Sequence, residues 1–477
     1  AREADRSEVK GYVFGTLDDR MRSYHLAELL SRHNIEVYKL GQNLTVDGTT
    51  YAGGNAYVVP AAQTQYRLVE AMFERRTSFQ DSLFYDVSAW TMPYAFNLPF
   101  AELDSRQYSS GLLGERFNIG EKPMGSVIGG KSNYGYLFEW DEYYAPRALY
   151  RLLKEGVLAK VASEPFTALT ALGTRQFDHG TILIPTGPQS VDGNRIYQLL
   201  QQAADSDGLN IYSVGTGLTP EGIDLGSGSF ETLRLPKVAL IGGDGTSSYE
   251  VGEAWHLMDQ RYDMEVTLLT KDRLRYADIG RYNVIVMTSG RYNDLSDNTV
   301  EKLKRWVRGG GTILGYKYAI RWLKSKGLAD IEFVEEEESP NREVTRPYTS
   351  RSRYRGAQAI GGTIFFADLD LTHPMGYGFS SDRITVFRNS TLFMKKAENP
   401  YATPLRYTDS PLASGYASEE NLDQLSGSAA VVVSGVGGGK VISMTDNPNF
   451  RAYWYGTNKL FANAVFFGHT ISGSASN

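Results

Sequence analysis

Short uninterrupted apolar runs alternate with stretches in which apolar residues return every three or four positions, and this alternation continues along most of the chain. GYVFG at 11–15 predicts a strand, the next run sets Leu26, Leu29 and Leu30 on one face of a helix, and IEVYKL (35–40) predicts a second strand. The same succession returns as GYLFEW (135–140), a helix carrying Ala148, Leu149, Leu152 and Leu153, and then GVLAKV (156–161). AYVVP (56–60) leads into a helix with Leu68, Val69 and Phe73, and TILIP (181–185) into one with Ile196, Leu199 and Leu200. Matching features lie about 124 residues apart, the mark of an internal repeat. Apolar strands alternating with amphipathic helices predict parallel sheets covered on both faces.

A third unit opens at LPKVALIGGDG (235–245), a strand running into a turn at Gly242, Gly243 and Gly245. A helix over Tyr249–Arg261 and the strands MEVTLLT (264–270) and YNVIVMTSG (282–290) follow. The next helix is marked by Asn298 as cap with Glu301 three residues on, by an apolar face of Val300, Leu303, Trp306 and Val307, and by the pair Glu301–Arg305. Gly309–Gly311 end it, and GGGTILGYKYAIRWL (309–323) predicts a strand, a sharp turn and a helix. In hydrolase-like and amidotransferase-like α/β folds such a turn presents a nucleophilic Ser or Cys, and Lys317 stands in that place. Periodicity breaks between about 328 and 358, where an acidic run precedes a basic one and a solvated insertion is expected. GTIFFADLD, ITVFRN and AAVVVSGVGGGKVISMTD then predict strands that extend the third sheet, and a last helix is expected over 456–468.

The expected architecture is therefore α/β, with three flavodoxin-like or Rossmann-like units and mostly parallel sheets: 1–122, 123–234, and 235–477 with its insertion. A chain of 477 residues suits several domains, and 42% hydrophobic with 22% charged residues is a globular composition. The net charge of −6 and the lack of a basic block argue against a nucleic-acid partner. No apolar run approaches the roughly 20 residues that cross a bilayer. The absence of cysteine removes thiolate chemistry and fits an exported protein. Ala1 and the charged AREADRSEVK suggest numbering that begins inside a longer precursor or at an expression scar.

Five segments, SFQDSLFYDVSAWTMPYAFNLPFAEL, GIDLGSGSF, GGDGTSSYEVGEAWHLMDQRYDMEVTLL, DLTHPMGYGF and NPNFRAYWYGTNKLFANAVFFG, carry a resemblance. Over about 8–470 the chain resembles the non-catalytic C-terminal half of large bacterial zinc carboxypeptidases of the carboxypeptidase A-like family. The third unit resembles a class I glutamine amidotransferase domain. The resemblance implies a periplasmic or extracellular accessory region, a scaffold or binding element whose partner is its own upstream peptidase domain. Zinc would belong to that upstream domain and no cofactor to this segment; a peptide or glycan ligand and self-association stay open.

The family's metal chemistry does not carry over to this chain. HLAE, His25 to Glu28, lies within a predicted helix with no later His in ligand context, and zinc needs three converging ligands. Amidotransferase chemistry needs a His after the final strands, where the chain offers Asp446 and Arg451 instead. No catalytic residue is assigned, and Lys317 is a degenerate nucleophile position. Candidate ligand contacts are Asp18 with Asp19, and Glu139, Asp141 and Glu142, which follow the first strand of each repeat, where open α/β sheets bind ligands. Asp244 in the glycine turn, His373 in a Gly- and Tyr-rich loop, and Arg451 among Phe450, Tyr453, Trp454 and Tyr455 complete the set. Two other readings stay open: an amidotransferase-like hydrolase acting through Lys317 or Ser289, and a carbohydrate- or cell-wall-binding module using exposed tyrosines.

Overall fold

The computed structural model describes residues 6–79, 87–334 and 345–475. Residues 335–344 of the expected insertion, and 80–86 of the first resembling segment, lie outside the described residues. The described part of the insertion departs from a solvated loop at its start, where Leu328, Ala329 and Ile331 are buried in the core; a bridge from Phe333 to Met394 and two short helical turns, Tyr348–Ser350 and Arg351–Ala357, follow.

The first unit runs β1 (Gly11–Phe14), α1 (Arg20–Arg32), β2 (Tyr38–Leu40), the hairpin β3 (Leu44–Val46) and β4 (Thr49–Tyr51), β5 (Tyr57–Pro60), α2 (Tyr66–Phe73), β6 (Phe100–Leu103) and β7 (Leu113–Arg116). Its sheet has the order β6-β1-β5-β2-β7, and every pairing is antiparallel. The second unit adds β8 (Ser126–Ile128), then repeats the plan. It runs β9 (Gly135–Phe138), α3 (Ala145–Lys154), β10 (Lys160–Ala162), the hairpin β11 (Phe166–Thr170) and β12 (Gly173–Phe177), β13 (Ile182–Pro185), α4 (Gly193–Asp207), β14 (Asn210–Val214) and β15 (Phe230–Thr232). Its order, β15-β10-β13-β9-β14-β8, is built on the same plan, with β9 and β13 adjacent as β1 and β5 are, and with β8 added in parallel beside β14. The internal repeat thus reappears in the succession of strands, helices and hairpin.

The expectation of parallel, flavodoxin-like sheets does not hold for these two units. The strands β1, β5, β9 and β13 are apolar because both faces of each sheet are covered, and burial says nothing about direction. Helices cover one face. The other packs on the hairpin, with Val13 and Val58 against Val46 and Tyr51 in the first unit, and Leu137 and Leu183 against Phe166 and Phe177 in the second.

The third unit has a nine-stranded mixed sheet. Its parallel half comprises β16 (Val238–Gly242), β17 (Val266–Thr270), β18 (Val284–Met287) and β19 (Thr312–Tyr316), with β24 (Gly439–Met444) beside β19. The antiparallel half continues through β23 (Ala429–Val436), β22 (Leu405–Ser414), β20 (Thr363–Leu369) and β21 (Arg383–Arg388). α5 (Ser248–Trp255) runs into a π-helical turn, His256–Arg261. α6 (Asp297–Arg308) and α7 (Ala319–Ser325) pack on the sheet face formed by Ile285, Ile313 and Val441. Ser296, not Asn298, caps α6, and Glu301 pairs with Lys304.

The last helix, α8 (Asn458–Phe467), is buried at all ten positions. One continuous core joins Phe138 and Trp140 of the second repeat, Phe14 of the first, and Phe466 and Phe467 of α8. Trp140 Nε1 donates to Asn463 Oδ1 at 2.7 Å, and Tyr143 Oη donates to Asn458 Oδ1 at 2.8 Å. Buried polar groups matched across units in this way fix their relative placement.

Candidate functional site

The strand β19 carries the chain into the expected turn, where Lys317 adopts φ +51°, a left-handed conformation unusual for a side chain with a Cβ. Its N–H donates to Met444 O at 2.9 Å, so the parallel ladder holds the backbone there. Gly315 lets α7 cross close to the strand, since a Cβ at that position would lie 2.4 Å from Leu323 Cδ1. The shape is that of a turn presenting a nucleophile. The side chain does something else. Lys317 Nζ lies 3.3 Å from Glu250 Oε1 and donates to Asn389 Oδ1 at 2.9 Å, with both charged side chains about nine-tenths buried at 11% and 8% exposure. Glu250 Oε2 also accepts from the Ser289 N–H at 2.8 Å. An ammonium in a buried ion pair has no lone pair with which to attack.

The neighbouring positions are also committed. Ser289 Oγ is buried without a hydrogen-bond partner, so no base engages it among the described residues. Asp446 accepts from the fully buried Arg388 at 3.0 Å and from the Tyr407 hydroxyl. Glu253 accepts from the Arg451 N–H at 2.6 Å, and Arg451 takes φ +48° in a loop whose aromatics pack inward. There Phe450 stacks on Phe387 with centroids 3.8 Å apart, and Tyr455 stacks on Phe96 at 4.6 Å.

His25 has both ring nitrogens engaged, Nδ1 with Glu28 at 3.0 Å and Nε2 with Tyr144 Oη at 2.8 Å. Burial lowers its pKa, and the Glu28 carboxylate opposes that shift. The HLAE segment ties α1 to the second repeat. Among the described residues no three His, Cys, Asp or Glu side chains converge as metal ligands. His373 is a cap: its Nδ1 accepts from the Met375 N–H at 3.0 Å, and burial pushes its pKa down to about 4. Asp244 is exposed in a plain turn formed with Gly243 and Gly245, both at positive φ, beside an open depression that reaches Trp255 and Leu268.

The acidic residues that follow the first strand of each repeat do come together, because the two units bring the ends of β1 and β9 side by side. Asp19 caps α1 by accepting from the Arg22 N–H at 2.9 Å, and also accepts from the Tyr143 N–H of the second repeat at 3.1 Å. Glu142 pairs with Arg20 of the first repeat at 3.1 Å. Asp18, Glu139 and Asp141 line a cleft of about 410 Å³ with Arg175, Asp178 and His179, and Gly376, Gly378 and Phe379 of the third unit form its far wall. A side lobe of about 280 Å³ shares Asp18, Glu139, Asp141 and Arg175 and adds Glu142 and Tyr212. Beneath them Lys459 of α8, 3% exposed, donates to the carbonyls of Trp140, Asp141 and Glu142. Burial holds its pKa down to about 8. Burial, then the charge of Glu139, pushes Asp141 up to about 8, and burial with Asp19 and Asp141 raises Glu142. Groups perturbed by desolvation and a specific neighbour, gathered in a cleft, make this the candidate site of the chain.

Arg175, Asp178, His179 and Lys459 escape sequence reasoning because no local spacing links them to Asp18 or Asp141. A signal for Lys459 does exist. NKLFANAVFFG places one lysine and two asparagines in an otherwise apolar helix, and polar groups buried there need partners.

No family model matches the chain and no curated protein matches it. Solved structures that resemble it include PurLQS from Thermotoga maritima, with 13% identity and a TM-score of 0.33, covering 48% of this chain and 97% of that one. A GMP synthase component from Thermoplasma acidophilum matches with 9% identity and a TM-score of 0.28, covering 48% and 92%. A β-galactosidase from Bacillus circulans matches with 13% identity and a TM-score of 0.27, covering 48% and 30%.

Proposed function

We propose that this chain is a non-catalytic accessory region, a scaffold and binding element, serving a secreted zinc metallocarboxypeptidase. The non-catalytic half of the reading is carried by the ion pair at the turn, where Lys317 occupies the nucleophile's place and is bound to Glu250 and Asn389. The binding half is supported by the cleft at the meeting of the three units. The peptidase parent is supported by the five resembling sequence segments alone.

A reactive lysine is recognised by its chemistry, since a Schiff-base lysine has a free amine and forms an imine that borohydride traps. The chain incubated with a small aldehyde and borohydride should be modified at exposed lysines well before Lys317, as read by peptide mass spectrometry. Preferential trapping at Lys317 would sink the non-catalytic reading and favour the hydrolase. Zinc analysis and a carboxypeptidase assay on this chain alone should both be blank.

A further inference from the structure

We propose that the outer edge of β6 receives an extended polypeptide segment of a partner, added to the first sheet as one more strand parallel to β6. The site lies apart from the cleft between the units and goes beyond the accessory role proposed for the chain. Its basis is a difference between the two repeats. Read from equivalent ends, the second sheet is β8-β14-β9-β13-β10-β15 and the first is β6-β1-β5-β2-β7. β6 holds the place of β14, and β1 that of β9. Among the described residues, no strand of the first unit holds the place of β8.

The register makes the equivalence exact to the residue. Val13 pairs with Ala101, and its counterpart Leu137 pairs with Tyr212, so Phe100 stands where Ile211 does. Ile211 lies opposite Val127 of β8. In β6 the carbonyls of Pro99 and Leu103 face β1, accepting from the Gly15 N–H at 3.2 Å and the Lys10 N–H at 2.7 Å. Backbone alternation then turns the N–H and C=O groups of Phe100 and Glu102 outward. Pro99, the residue there without an N–H, faces β1 and leaves the outer edge open. A row of unpaired backbone groups of this kind is a template for another strand.

Space for the strand is already there. A groove of about 630 Å³ follows β6, with Val46 and Tyr51 of the hairpin layer on one side and Arg75, Thr77 and Tyr94 on the other. These are the two layers between which β8 lies in the second repeat, where Val127 packs on the helix-side core and Ile128 on the hairpin-side core. Side chains of an added strand alternate between such layers. The occupant is therefore recognised by its main chain, and carries β-branched or other apolar side chains and no proline. The start of the chain supplies no such sequence: at the repeat offset, the counterpart of Ser126–Ile128 is Arg-Glu-Ala at 2–4, charged helix formers where β8 has Val and Ile.

The test uses the whole chain and the acetylated, amidated peptide GSVIGG, which copies residues 125–130 around β8. At millimolar peptide, the amides of Phe100 and Glu102 should exchange with deuterium about tenfold more slowly, read by fragment mass spectrometry. N-methylation of the peptide at alternate residues, on the set facing the edge, should weaken binding about tenfold or more, and methylation of the residues between should not. Glu102→Pro, at an exposed position, removes an outward N–H and should weaken binding similarly with circular dichroism unchanged. The methylated peptides keep the test decisive where that variant fails to fold.

No slowing at Phe100 and Glu102, or an equal effect of methylation on both sets of residues, overturns the proposal. Two further outcomes assign the edge to another occupant and also overturn it. Slow exchange without peptide that becomes fast on deletion of residues 1–5 means that the chain fills its own edge. Slowing that follows protein concentration alone means that a second copy of the chain does.

Discussion

Lys317 is held in a left-handed conformation by the ladder to Met444, and its charge is matched by Glu250 with Asn389 beside it. Removing one member of such a buried pair leaves the other uncompensated, so Lys317→Met should lower unfolding stability by about 3 kcal/mol in urea denaturation. Adding Glu250→Gln should recover most of that loss; an additive double variant would show that the two side chains are not coupled. Asp141 gives a pH dependence with a definite sign. Its folded pKa of about 8 stands above the unfolded value of about 3.9, so between those values the native state binds more protons and stability falls as pH rises. Asp141→Asn should remove that contribution. Urea midpoints at about pH 5 and pH 8.5 should drop less in the variant than in the parent chain, and an equal drop would contradict the assignment.

At the scale of elements, the same helix cap has two different weights. Asp192 caps α4 from a largely solvated position by accepting from the Asn194 N–H at 2.8 Å. Asp19 caps α1, accepts from Tyr143 of the other repeat, pairs with Arg22 and is 1% exposed. Asp192→Ala should cost only the small loss of a solvated cap. Asp19→Ala should cost about 3 kcal/mol or more, since it also leaves a buried guanidinium and a backbone N–H unmatched. Equal losses in chemical denaturation would mean that the contact between repeats adds nothing. Both helices were legible from spacing, and so were the apolar strands of the repeats. The hairpins β3–β4 and β11–β12 were not, although they are what covers the second face of each sheet. Their short, half-exposed strands lack a long apolar run.

Across the whole molecule, α8 sits at the meeting of all three units, with Lys459 and Asn463 reaching Trp140 and Asn458 reaching Tyr143. Units joined through a shared core and matched buried polar groups should not melt separately. Calorimetry should give one transition with calorimetric and van't Hoff enthalpies in agreement, and resolved transitions for the repeats would refute that coupling.

The sequence by itself determined the repeat, the type of most elements, and the lysine in the turn between a strand and a helix. Each of these depends on local period or on residue identity, which a linear chain displays directly. The tertiary structure alone decided the direction of the strands and the composition of the cleft. Strand direction follows from which strand lies beside which, and a fully buried run is equally consistent with parallel and antiparallel neighbours. The cleft joins Asp18, Asp141, Arg175, Gly378 and the underlying Lys459 from distant parts of the chain. Their pairing, burial and shifted protonation exist only once the two repeats and the last helix have closed on one another.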